Sequence, residues 1–425
     1  MKSNLSKGIV VGIISLLSIP IYSQTYTLEQ CHEEAAALSP INRQKAYNES
    51  IYELQRLNAG KSNLPQMVLS AQATYQSDVF ELPFSPPGVE NPEIPKDQYR
   101  AALTVQQKIF DGGTVKAGRQ VVEANYTASQ QLVEVDLYQI KDQINQVYFG
   151  ILLLQEQGKI LKANHESLSL KLKELESLVE NGVVIKSNVL SLKKQLLLLE
   201  QQQTEVESNQ NALIAILSKW LSKDVETNST FVIPNLDKVS SDLSINTPYL
   251  GTFDAQSKVI EANKSFQSVR NSPKVFAFAT GGVGSPNPYN FFETEFSEYY
   301  MLGLKLEWNI YDYGRKKNDL KVLEYQTEII NSKRDNYLRL TEISMINHIE
   351  DMDKYQRLID QDSDILMLQK QVVSEAASQL DNGVITSTQY LTEVNNQLQI
   401  ELNAKIHELK LVQSQIEYLT KSGNL

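Results

Sequence analysis

FDGGTVKAGRQVVEANYTASQQLVEVDLYQIKDQINQVYFGILLLQEQGKILKANHESLSLKLKELESLVENGVV spans Phe110 to Val184. After the turn signal Phe110-Asp111-Gly112-Gly113 it contains no proline. Its apolar residues recur at Val133, Leu137, Ile140, Ile144, Val147, Ile151, Leu154, Leu161, Leu168, Leu172, Leu175 and Val179. Steps of three, four and seven are a heptad, the pattern of helices that supercoil around a partner. At ~1.5 Å per residue this predicts a helix about 100 Å long. Asn181-Gly182 ends it, because glycine takes the left-handed conformation of a helix C-cap at little cost. A second seam at Val189, Leu192, Leu196, Leu199, Val206, Leu213, Leu217 and Trp220 predicts the returning arm of an antiparallel hairpin over 114–222.

The pattern occurs twice. Tyr311-Asp312-Tyr313-Gly314 repeats Phe110-Asp111-Gly112-Gly113 at an offset of 201, and Asn382-Gly383-Val384-Ile385 repeats Asn181-Gly182-Val183-Val184 at the same offset. Leu103, Val105 and Ile109 likewise meet Leu304, Leu306 and Ile310. One offset shared by three signals predicts an internal duplication. The first repeat is 24–222, the second 248–425 with its hairpin at 314–421, and the polar stretch 223–247 reads as the linker.

Ahead of each hairpin the period changes to two. Met67, Leu69, Ala71, Ala73 and Tyr75 alternate with polar residues and predict a strand at about 66–76. Tyr99, Ala101, Leu103, Val105 and Ile109 predict a second at about 98–109. Residues 77–97 between them hold Pro83, Pro86, Pro87, Pro92 and Pro95, a long irregular loop. The second repeat offers a glycine-rich strand at about 274–284. A clearer one follows at about 299–310, with Tyr300, Leu302, Leu304, Leu306, Trp308 and Ile310 opposite Gly303, Lys305, Glu307 and Asn309. Strands of this length cross an outer membrane when tilted. Aromatics near their ends (Tyr75, Tyr99, Phe291, Phe292, Tyr299, Trp308) read as interface girdles. Leu302, Leu304 and Leu306 are expected to meet lipid, and Lys305 and Glu307 a lumen. Bilayer-spanning strands leave no open edge, and four cannot close a barrel. Two copies would give eight strands and three would give twelve.

Lys2 and Lys7, the apolar run Gly8 to Ile19 and a small residue at Ser23 predict a signal peptide at 1–23. The two lysines contribute +2 to the formal charge of -11, so the remainder carries -13. So acidic a chain argues against nucleic acid as a partner. Cys31 is the single cysteine, so no intramolecular disulfide forms. Thr27-Leu28-Glu29-Gln30 has the form of a capping box, opening a helix through Leu28, Ala35, Ile51, Leu54 and Leu57 that ends before Pro65. His32, His165, His348 and His407 are scattered without metal-ligand spacing. His165 falls on the heptad seam as a core histidine, and Cys31 reads as a packing residue. No enzyme, cofactor or metal site is expected.

With these residues in view the chain resembles the TolC-like outer-membrane efflux family over essentially its whole mature length. Thr27-Leu28-Glu29-Gln30-Cys31 with Ala35, Ala36 and Ser39-Pro40 is similar to the family's opening helix. Asp111 with Gly113, and Asp312 with Gly314, stand at its strand-to-helix junctions, and the two Asn-Gly turns at its periplasmic tips. The resemblance implies an α+β membrane protein of two tandem helix-strand-strand-long helix-helix repeats. Three copies would form a twelve-stranded β-barrel in outer-membrane lipid and a periplasmic α-helical coiled-coil barrel. It implies an exit duct for tripartite efflux or type I secretion, working with a periplasmic adaptor and an inner-membrane transporter. Gly182, Val183, Val184, Gly383, Val384 and Ile385 are then the expected adaptor-docking tips. Where the family often carries an entrance aspartate, this chain has Asn188 and Gln389, with Glu393 one turn beyond the second. The alternatives are a periplasmic coiled-coil adaptor, which would carry one hairpin flanked by small β domains, and a structural envelope spacer, which would need no such loop between amphipathic strands.

Overall fold

The computed structural model describes residues 24–80, 88, 93–182, 184–236, 239, 244–290 and 292–425. The signal peptide expected at 1–23, most of the 77–97 loop, Val183 and Phe291 lie outside the described residues. The elements run β1 (Thr25–Tyr26), α1 (Leu28–Leu38), a 3₁₀ turn (Pro40–Asn42), α2 (Arg43–Lys61), β2 (Gln66–Tyr75), β3 (Asp97–Phe110), α3 (Thr114–Glu180) and α4 (Lys186–Leu221). They continue as β4 (Thr230–Phe231), α5 (Pro248–Ser268), β5 (Lys274–Ser285), β6 (Ser297–Glu307), α6 (Arg315–Asp381) and α7 (Ser387–Ser422). Helices α3 and α6 each have 67 residues, and α4 and α7 each have 36. No helix among the described residues is long and apolar enough to cross a membrane.

The chain forms two compact units, and each draws on both repeats. One takes residues up to Ala35, Ile144–Asp237 and Lys354–Gln413; the other takes Ala36–Gln143, Lys238–Asp353 and Ser414–Leu425.

The first unit holds both hairpin turns and the helix ends that meet there. Its core joins Leu161, Leu168 and Leu175 of α3 to Leu192, Leu196 and Leu199 of α4, Leu380 of α6, and Tyr390, Val394 and Leu398 of α7. These are largely the heptad positions, and they show the two hairpins packing as one bundle rather than as separate pairs. Along α4 the seam slips by one after Val206: Ile214, Leu217 and Leu221 are buried, where Leu213, Leu217 and Trp220 were expected. An ideal helix drifts against a strict seven-residue repeat, so a long seam must step.

The same unit corrects the linker reading. Thr230 and Phe231 form β4, which pairs in parallel with β1. The Tyr26 and Phe231 rings stack at 5.5 Å, and Tyr148 meets Phe231 edge-on at 5.5 Å. The Tyr148 hydroxyl lies 2.9 Å from the Tyr26 carbonyl and 2.7 Å from that of Val232, and accepts the Val232 N–H at 3.1 Å. A two-residue strand has no periodicity to read, and its anchor is a tyrosine far away in sequence.

The opening helix also departs from expectation, splitting into α1 and α2. Proline has no N–H and forces the residue before it out of the helical region. Ser39 before Pro40 is extended (φ -60, ψ 132), and its side chain accepts the Ile41 N–H. Asn42 bridges the break, donating its amide to the carbonyls of Ala36 and Ala37. The capping box itself forms, with reciprocal bonds of 3.2 Å between Thr27 and Gln30.

The second unit holds one antiparallel four-stranded sheet in the order β2-β3-β5-β6. The repeats meet at its centre, where β3 pairs β5, and β2 and β6 are left as edges. β6 ends at Glu307 opposite Lys274, the first residue of β5. Trp308 to Ile310 therefore lie beyond the strand, since β5 begins only at Lys274 and Pro273 before it has no N–H to continue the ladder. A shift in register between Lys108 and Phe110 takes Ile109 out of the alternation as a bulge.

Candidate functional site

Register sorts the sheet into two faces. Met67, Val105, Ala279 and Leu302 share one cross-strand row, and Ala277 faces Leu304 in the next. Side chains alternate strictly along a strand, so one face carries Met67, Leu69, Leu103, Leu302, Leu304 and Leu306. All six are exposed, Leu304 to 73%. Ser70, Arg100, Thr104, Lys108, Thr280 and Lys305 fall on the other. Thr104 and Thr280 hydrogen-bond across it at 3.1 Å, and Lys305 and Glu307 pair on it at 2.5 Å.

The polar face explains one glycine of β5, Gly282, and the glycine of β6, Gly303. A Cβ on Gly303 would sit 2.7 Å from the Phe278 ring, and one on Gly282 would sit 2.8 Å from the Tyr299 hydroxyl. Each aromatic ring covers a facing glycine. This corrects the girdle assignment of Tyr299, which is buried on the polar face. Its neighbour Tyr300 stands exposed on the apolar one.

Both strand-to-helix junctions are built alike. Asp111 accepts the N–H of Gly113 (3.0 Å) and of Val115 (2.7 Å). Asp312 accepts those of Gly314 (3.1 Å) and Lys316 (3.0 Å), and the amide of Asn271 at 2.7 Å. An N-terminal aspartate satisfies the unpaired N–H groups of a helix and suits its dipole. Burial alone would raise the Asp111 carboxyl, but the bonds from Val115 and Gly113 and the charge of Lys108 hold it below its ordinary range. Asp312 is held low by the Asn271 amide and the Lys316 and Gly314 N–H groups. Gly112 and Gly113 have φ of 64° and 88°, where side chains are strained. A Cβ on Gly112 would also meet Ser272 at 2.5 Å. In the second junction Tyr313 carries a positive φ of 55° despite its side chain.

The two tips are also alike. Gly182 and Gly383 have φ of 73° and 69° and donate to Val179 and Leu380 at 3.0 Å. Asn181 and Asn382 each donate a side-chain amide to the carbonyl four residues back, at 2.8 Å. Among the described residues, a Cβ on either glycine would have no atom within 4 Å beyond its chain neighbours. Val184 and Ile385 are not free tip groups, since both pack partly into the hairpin core. Among the described residues of the two tips, the exposed apolar side chains are Val384 at 70% and Ile185 at 66%. Ile185 stands just past the repeated motif, where the second copy has Thr386, so matching the repeats passed over it.

The residues expected at the entrance have partners within their own unit. Asn188 accepts from the Ser387 hydroxyl at 2.9 Å, and Gln389 closes a capping box with Thr386. Glu393 accepts from Gln369 at 3.1 Å and Asn396 at 3.3 Å. Ile385, Gln389 and Glu393 line one groove of about 630 Å³ with Leu368, Val372 and Gln379. Near the same tip Lys171 is 9% exposed and reaches Asp381 at 2.5 Å and Glu174 at 3.0 Å. Burial opposes its charge, yet these two carboxylates hold the ammonium above its ordinary range. Its position between Leu168 and Leu175 on the seam was the signal for it.

The remaining chemistry-bearing groups are structural. Burial, with help from Glu34 and against Lys223, pushes the Cys31 thiol up to about 12, which keeps it unreactive. His32 bonds to Asn145 at 2.8 Å, His165 to Glu200 at 3.3 Å and His407 to Asp362 at 2.7 Å. Among the described residues no cluster of histidine, cysteine and carboxylates is arranged to hold a metal.

Comparison with known proteins agrees with this geometry. Residues 43–220 match the outer membrane efflux protein family. No curated protein matches the chain. Among solved structures it is similar to the outer membrane protein VceC of Vibrio cholerae, with a TM-score of 0.67 and 14% identity over 93% of this chain and 96% of that one. The Campylobacter jejuni CmeC outer membrane channel gives a TM-score of 0.66 and 14% identity, covering 93% and 85% of the two chains. The Neisseria gonorrhoeae MtrE outer membrane channel gives 0.64 and 14%, covering 94% and 89%. Residues 43–220 thus match the family model, and the chain shares the fold of these outer-membrane channels.

Proposed function

We propose that this chain is a TolC-like outer-membrane protein and the exit duct of a tripartite efflux or type I secretion system. It would act as a homotrimer with a periplasmic adaptor and an inner-membrane transporter. The observation that carries the reading is the sheet: four strands, one face apolar and exposed, the other polar, and two unpaired edges. Such a sheet is stable in lipid only when closed. β2 of one copy would pair β6 of the next, a head-to-tail contact that closes into a ring. The helices beside those edges fit the same arrangement. α2 leads into β2 and exposes Tyr47, Ile51, Leu54 and Leu57; α6 follows β6 and exposes Val322, Tyr325 and Ile329. Three copies give twelve strands and a water-filled lumen lined by the polar face.

The tips would dock the adaptor through Gly182, Val183, Val384 and the exposed Ile185, with Val184 and Ile385 supporting them from the core. Asn188, Gln389 and Glu393 would stand just inside as the entrance. Purified protein in a planar lipid bilayer should give discrete conductance steps. Ile185→Asp with Val384→Asp should keep those steps and abolish export from cells. A protein that inserts but never conducts would refute the duct, and unchanged export by the double variant would refute docking at the tips.

A further inference from the structure

We infer that the helix end of the barrel lumen is a basic band that favours the passage of anions. The inference rests on the duct reading, which makes the polar face of the sheet the lumen wall. On that face the register sets Lys108 and Lys305 on either side of Phe276 in one cross-strand row. At about 4.8 Å between strands the two lysines stand roughly 10 Å apart. The next row brings Lys274 opposite Glu307. Glu307 is the one carboxylate on this face among the described residues, and it is taken up by Lys305 at 2.5 Å. Arg100 adds a further cation nearer the loop end. The face is therefore net positive in a chain whose formal charge is -11.

Every copy closing the barrel adds the same three lysines at the same height, so they form a ring. The Debye length of about 8–10 Å at physiological salt matches the spacing of these charges, so their fields overlap across the wall. Surrounding lipid of low dielectric focuses that field into the lumen. Rings of lysine or arginine select anions in pores by this means. Phe276 between two of the lysines gives the band an apolar surface as well, suited to an organic anion with an aromatic or alkyl body.

The test is the reversal potential of wild-type pores in a planar bilayer under a potassium chloride gradient. It is compared with that of pores carrying Lys108→Gln, Lys274→Gln and Lys305→Gln together. The chloride-to-potassium permeability ratio should fall at least ~3-fold in the triple variant. Lys305→Gln alone, an exposed change on an edge strand that frees Glu307, should lower it in the same direction if the triple variant does not assemble. Pores that conduct with an unchanged ratio in these variants would overturn the inference. Failure of the wild type to conduct would instead strike the duct reading on which it rests.

Discussion

Helices α3 and α6 have the same length, the same position in their repeats and the same aspartate cap, yet the chain treats them oppositely. α3 buries a long apolar seam: Ile140, Ile144, Tyr148, Ile151, Leu152, Leu161, Leu168 and Leu175 are all buried, and only Leu132 and Leu170 are large apolar residues that it exposes. α6 buries few apolar residues, among them Ile330, Met345, Ala376 and Leu380. It leaves Val322, Tyr325, Ile329, Leu340, Ile343 and Ile346 exposed. These six fall at helical spacing on one side of α6, as two apolar groups of three, and apolar groups clustered this way on a surface mark an interaction site. The two helices are thus matched in length and cap, one largely buried within the chain and one left with an apolar face exposed. The same division runs through the sheet, where β3 and β5 are paired on both sides and β2 and β6 on one.

The largest single-chain effect should come from α3. Tyr148 is 0% exposed and ties β1 to β4 through its hydroxyl. Tyr148→Ala should cost about 3–5 kcal/mol, as large-to-small core changes do. Ile343→Ala, on the exposed stripe of α6, should change the stability of a dissociated chain by less than about 0.5 kcal/mol. Urea unfolding in a detergent that separates the copies reads both. Similar losses for the two would erase the distinction between the helices.

A smaller effect should be shared by both helices through their caps. Asp111→Ala should cost about 1 kcal/mol, and Asp312→Ala should destabilise in the same direction. The sign with pH follows from the lowered carboxyls. A group whose folded value lies below its unfolded one stabilises fully above about pH 4 and loses that contribution as pH falls through the folded value. Asp111→Asn keeps a capping oxygen without a titrating proton, so its acid-induced loss of stability should be shallower than that of the wild type. Superimposable acid titration curves would show that this carboxylate is not coupled to folding.

What was legible in the sequence was whatever repeats locally. The heptads, the alternating strands, the Asn-Gly turns and the two Asp-x-x caps are patterns a few residues long, and each copy reinforced the other. What escaped depended on distant partners. Tyr299 and Tyr300 are adjacent tyrosines, and only Gly282 across the sheet decides which turns inward. Trp308 alternates correctly but has no strand to pair with, because β5 begins at Lys274. Lys171 lies on an apolar seam, and its charge is held by Glu174 on its own helix and by Asp381, at the end of the other hairpin's first arm. Pro40 was visible, but the apolar spacing on either side of it outweighed the break it makes. At the tips, the repeated motif drew attention to Val184 and Ile385, which the hairpin core takes up, and away from Ile185.

The central claim is that α6 and the sheet edges are completed by further copies of this chain. Native mass spectrometry of the detergent-extracted protein tests it most directly, with Ile329→Asp plus Ile343→Asp measured beside the wild type. The account predicts a wild-type mass of three chains, and a double variant that folds but is shifted toward single chains. A wild type of one or two chains, or a double variant that remains fully trimeric, would contradict it.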